Sequence, residues 1–117
     1  MSIISWGRTN RYDFSACGGL DSWVPEVRSG VFAITYRRDP VNKPKAHTVF
    51  FFGECENLPA DISRIKSNLI QRWQEMGGTP DDLYVFVHPM NDSTKLQRAK
   101  VQQNLVLQYQ PEANIAD

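Results

Sequence analysis

Cysteine is scarce in this chain, net charge is absent, and no apolar run is long enough to cross a bilayer. Only two of the 117 residues are cysteines, Cys17 and Cys55. They form no CxxC pair and show no zinc spacing, so they read as free thiols of a reducing compartment. Lys plus Arg number 13 and Asp plus Glu number 13, a formal charge of zero. Such a balance exerts no global pull on nucleic acid or an anionic membrane, while leaving room for a local basic patch. No stretch approaches the ~20 apolar residues of a membrane span, and Met1–Arg8 lacks the apolar run of a signal peptide. The expectation is a cytoplasmic protein with no membrane contact. Repeats, linkers and low-complexity segments are missing too.

What remains is ordinary globular material. Hydrophobic residues at 41% and charged residues at 22% exclude a disordered chain, and 117 residues suffice for one domain with a real core. Residues 1–27 read as an irregular arm, punctuated by Gly18-Gly19 and Val24-Pro25 and anchored by Trp6, Phe14, Leu20 and Trp23. The core follows over 28–114. Residues 30–38 (GVFAITYRR) form a strand with Phe32, Ile34 and Tyr36 on one face and Val31, Ala33 and Thr35 on the other. A polar loop with Pro40, Asn42 and Pro44 leads to a second strand, 47–53 (HTVFFFG), whose apolar run predicts burial on both faces.

A helix is expected from near Pro59, with Ile62, Ile65, Leu69, Ile70 and Trp73 as its core stripe and Gly77-Gly78 as its stop. Residues 83–89 make a third strand. Asp92 or Ser93 caps a second helix over roughly 93–109, with a thin stripe of Leu96, Ala99, Val101, Leu105 and Tyr109. The first two strands are expected to pair as an antiparallel hairpin.

Certain residues in this frame stand out as a set. Gly30-Val31-Phe32 opens the first strand and Phe51-Phe52-Gly53 closes the second. Asn57-Leu58 comes next; Gln102-Gln103-Asn104-Leu105-Val106, Pro111 and Asn114 lie near the C-terminus. In order and interval, roughly over residues 24–114, this set resembles the GIY-YIG nuclease domain. That is the family of certain homing endonucleases and of the incision subunit of nucleotide excision repair. The resemblance implies an α/β (α+β) fold, with a small three-stranded, mainly antiparallel sheet flanked by helices in the order β-β-α-β-α. Gly30, Gly53, Asn57 and Asn114 match the family motif.

The departures from the family carry the functional expectation. Where the family has two tyrosines beside the attacking water, this chain has Phe32 and Phe51, which neither give nor take a proton. The family's phosphate-steadying arginine falls on Asp61, an anion that repels phosphate. One helical turn of slippage would bring Arg64 there instead. The metal-holding glutamate is replaced by Gln102, whose neutral amide lacks the charge a hard cation needs. The resemblance therefore implies a catalytically degenerate member. No catalytic residue, metal or cofactor is expected.

Three readings of function stay open. The first is a protein-interaction module, binding a protein partner or itself; it requires an exposed apolar patch, and Trp6 and Trp23 are candidate anchors. The second is a nucleic-acid-binding module without cleavage. Its candidate phosphate contacts are Arg37, Arg38, Lys43 and Lys45 around the hairpin loop, Lys95, Arg98 and Lys100 on the second helix, and Arg64. It requires these groups to converge on one face and binding to weaken with salt. The third is a divergent metal-dependent DNA endonuclease, rebuilt from Arg64, His47, His88 and the turn residues Glu54 and Glu56.

Overall fold

The computed structural model describes residues 3–22 and 26–114. Its strands are β1 (Ile3–Trp6), β2 (Tyr12–Gly19), β3 (Gly30–Tyr36), β4 (Thr48–Cys55) and β5 (Tyr84–Pro89). Helix α1 (Leu58–Glu75) leads from β4 through a 3-10 turn at Pro80–Asp82 into β5, and α2 (Lys95–Tyr109) follows. The strands form one sheet in the order β1-β2-β5-β3-β4, every neighbouring pair antiparallel.

The three-stranded GIY-YIG-like sheet and the β-β-α-β-α order are thereby corrected. The sheet has five strands because residues of the supposedly irregular arm supply β1 and β2, and β2 hydrogen-bonds along the outer edge of β5. Phe14 is the one fully buried residue of β2, and polar neighbours surround it, so hydropathy marks the strand poorly. Gly18 and Gly19, which look like a chain break, are strand residues: Ala16 faces Phe86 and Gly18 faces Val85, so Cys17 is the extra residue of a bulge. Trp6 is an internal packing residue, its ring edge-on to Phe14, Phe86 and Phe52 at 5.0, 5.6 and 6.0 Å. Trp23, Val24 and Pro25 lie outside the described residues.

The sheet separates two apolar cores. On one face Phe32, Ile34, Val85 and Phe50 pack with Leu58, Ile62 and Leu69 of α1. On the other, Phe14, Ala33, Phe52, Phe86 and Trp6 pack with Leu105 of α2. β4 serves both faces through a bulge: Ile34 pairs with Phe51 and Thr35 with Val49, so Phe50 is extra and turns to the α1 side while Phe52 turns to the α2 side. β4 also runs past Gly53 to Cys55, which places Glu54 in the strand and not in a following turn.

The helix ends follow from their caps. Asn57 caps α1, its Oδ1 accepting from Ala60 N at 3.2 Å. Helix α2 begins later than Asp92 or Ser93, since Thr94 and Gln97 form a reciprocal capping box. Asp92 sits at φ 59°, outside the helix. Leu96, expected in the core stripe, is 80% exposed. Among the described residues no helix is long and apolar enough to cross a membrane.

Candidate functional site

β4 is an edge strand of the sheet, and residues of both α1 and α2 line a recess beside it. An unpaired strand edge exposes main-chain donors and acceptors that need partners. The chain supplies them from its C-terminal segment. Ala113 N donates to Phe50 O at 3.0 Å. The Asn114 side chain takes both groups of Phe52, Oδ1 accepting from its N–H at 2.7 Å and Nδ2 donating to its carbonyl at 2.8 Å. Gln102 Nε2 donates to the same carbonyl at 3.0 Å.

Beside this sealed edge lies a recess of about 420 Å³. All four departed positions line it: Phe32, Phe51, Asp61 and Gln102. Phe32 is 1% exposed and its ring lies over Gly53, where an added Cβ would come within 2.2 Å of Phe32 Cζ. Gly30 is held to glycine by an equally close approach, because a Cβ there would sit 2.2 Å from the His88 carbonyl oxygen. Phe51 is half-buried, its ring centroid 5.9 Å from that of Phe32. Asp61 turns back on its own helix: Oδ2 accepts from Glu56 N at 3.0 Å and Asn57 N at 3.2 Å, and Oδ1 pairs with Arg64. The carboxylate thus completes the N-terminus of α1, where negative charge is favoured.

Charge in the recess is mixed. Glu54, Glu56 and Asp61 contribute carboxylates; Arg64, Lys95 and Arg98 contribute cations. Arg98, expected as a surface phosphate contact, is 4% exposed. Its Nη1 donates to Ser93 O at 2.7 Å and Ser93 Oγ at 3.2 Å. Among the described residues its Nε makes no hydrogen bond, and the Glu54 carboxylate stands 3.9 Å away. The reason is helical spacing: Arg98 and Gln102 are one turn apart on the inner face of α2, a signal already present in the sequence.

The basic groups do not gather on one face. Arg37 donates to Tyr84 Oη at 2.7 Å and lines a separate recess of about 210 Å³ with His47 and Tyr84. Arg38, Lys43 and Lys45 stand exposed on or beside the hairpin loop. Lys100 lines a third, open groove with Asn10, Tyr12 and Asn104. The groups proposed for a rebuilt catalytic centre also separate. His47 Nδ1 lies 2.9 Å from Thr35 Oγ1, and burial, then Arg37, pushes its pKa down. His88 Nδ1 lies 2.9 Å from Asp13 O, on the β2 side of the sheet. Burial raises both thiols, Cys55 to about 11, and neither lines the Phe32 recess. Among the described residues no cluster of three or more His, Cys, Asp or Glu is arranged to hold a metal ion. No family model, curated protein or solved structure matches the chain.

Proposed function

We propose that this chain is a catalytically degenerate relative of the GIY-YIG nucleases that binds a protein partner through the recess at the β4 edge. The supporting observation is what has become of the polar side chains at the degenerate positions. Asp61 is committed to the first turn of α1 and Gln102 to the Phe52 carbonyl. With Phe32 and Phe51 beside them, the recess offers no phenol for proton transfer and no carboxylate at position 102 for a metal. A recess lined by three carboxylates and three cations suits a peptide segment carrying both signs of charge better than a uniform polyanion. The test is cleavage of duplex, flap and single-stranded DNA with Mg²⁺ or Mn²⁺, run beside cross-linking from the recess to captured proteins. The expected result is no cleavage and cross-links to protein. Metal-dependent cleavage abolished by Arg64→Ala overturns the reading.

The second reading is nucleic-acid binding without cleavage. It is favoured by one observation, that Arg64, Lys95 and Arg98 share the recess. It requires affinity that falls steeply with salt, about one unit of logarithmic slope for each phosphate contacted.

A further inference from the structure

We propose that the recess between Arg37, His47 and Tyr84 is a binding site for a small molecule with one aromatic ring and one carboxylate. It shares no lining residue with the recess at the β4 edge and does not rest on the reading given for that site.

The recess exists because β2 is thin where it passes. Ala16 and Gly18 line it, on either side of the bulge at Cys17. A Cβ added at Gly18 would meet nothing within 4 Å, so the space above the strand is open. The walls are rings. His47 stands edge-on to Tyr84 and to Phe86, with centroids 5.2 and 4.9 Å away. A volume of about 210 Å³ falls below the ~300–1,000 Å³ of sites for drug-sized ligands and suits a single ring.

Charge selects the kind of ring. Arg37 brings a permanent positive charge, and no described carboxylate lines the recess. The β4 recess, by contrast, sets three carboxylates against three cations. The Arg37 guanidinium is also held in place. Its Nη2 donates to Tyr84 Oη at 2.7 Å, and the group lies 5.0 Å from the centroid of the Tyr84 ring. A cation fixed in this way loses little freedom when an anion arrives, and its remaining N–H groups suit a carboxylate.

His47 supplies a second polar group at a fixed angle. Thr35 is fully buried on the strand face it shares with Val31 and Ala33, where an unbonded hydroxyl would be costly. Its Oγ1 is joined to His47 Nδ1 at 2.9 Å, which orients the imidazole and leaves Nε2 for a ligand. The other ionisable groups lining the recess are Arg37 and Tyr84; β2 contributes none. Burial, then Arg37, disfavours the imidazolium. A carboxylate beside both groups offsets that repulsion, so binding and protonation of His47 favour each other. Phosphate has no apolar surface to set against the rings, and acetate leaves them uncovered.

The experiment uses the full chain, with calorimetry run beside the His47 ring resonances. The probes are benzoate, its neutral counterpart benzamide, acetate and inorganic phosphate. Benzoate should bind with a dissociation constant of about 1 mM or below and move the His47 resonances. Benzamide lacks the charge and acetate lacks the ring, and each should bind about tenfold or more weakly than benzoate. Arg37→Gln should weaken benzoate about tenfold and leave benzamide unchanged. Ala16→Leu fills the floor and should abolish benzoate binding. Benzoate should also raise the His47 pKa and bind more tightly as pH falls through the His47 titration. Equal affinity for benzoate and benzamide in the unsubstituted chain overturns the inference, as does phosphate moving the His47 resonances at lower concentration than benzoate. So does the lack of any response to benzoate at about 10 mM, or a response that survives Ala16→Leu.

Discussion

Removing Asn114 should cost more than its place near the chain end suggests, and the cost should depend on Gln102. In Asn114→Ala the Phe52 N–H loses its acceptor at 2.7 Å, and the Phe52 carbonyl loses one of two donors, at 2.8 Å. Phe52 is fully buried, so the orphaned N–H suffers desolvation of about 1–3 kcal/mol beyond the lost bonds. The sum is roughly 2–4 kcal/mol. Gln102→Met alone leaves the carbonyl its Asn114 donor and should cost only about 0.5–1.5 kcal/mol. Together the two changes leave that carbonyl with no donor, so the double variant should lose about 1–2 kcal/mol more than the sum of the singles. Urea unfolding at constant m-value measures all three, and Asn114→Ala alone should lower the midpoint by about 1–2 M. Additivity within about 0.5 kcal/mol would refute the shared-carbonyl geometry.

Three further outcomes concern Asp61, Cys55 and His47. Asp61→Arg removes the acceptor of Glu56 N and Asn57 N and sets a cation at the start of α1, so thermal unfolding should show a loss of about 1–2 kcal/mol and no gain of nuclease activity. Cys55, raised by burial from 9.0 to about 11, keeps its proton longer in the folded chain; stability should be full below pH 9, fall as pH rises toward about 11 and level off beyond. The size is roughly 2–3 kcal/mol, and a Cys55→Ala variant compared across that window should lack this component of the slope. His47, lowered from 6.5 by burial, does the reverse: the unfolded chain takes up the proton first, so stability should decline as pH falls below 6.5 and flatten beneath the folded-state value. His47→Gln should reduce that decline in a pH series of urea midpoints; an unchanged profile would contradict the burial assigned to the ring.

The parts of this molecule that were legible in the sequence share one property: their side chains repeat with the period of the element. Phe32 and Ile34 alternate with Val31 and Ala33 and do separate to opposite cores. Ile62 and Leu69 recur at helical spacing and do face the sheet. Phe32, Phe51, Asp61 and Gln102, singled out by the family resemblance and by no periodic signal, line one recess. β2 has one fully buried aromatic and a glycine pair, and β1 only four residues, so neither emits a clear periodic signal. Arg98 was misplaced for a different reason. A charged residue on a helix is assigned to the surface by type, whereas its position one turn before Gln102 fixes it to the inner face.

Gly53 and Phe32 have a consequence that only descent would reveal. The ring of one fills the space where the other would carry its first side-chain carbon, 2.2 Å away. Position 53 is not free to gain a side chain by itself. A lineage that acquires alanine at position 53 must first, or at once, have shed the aromatic at position 32, while one that keeps the aromatic is bound to its glycine. Descendants of this chain should therefore show no aromatic at position 32 wherever position 53 has gained a side chain, a one-way dependence across the whole hairpin written by the shape of a single ring.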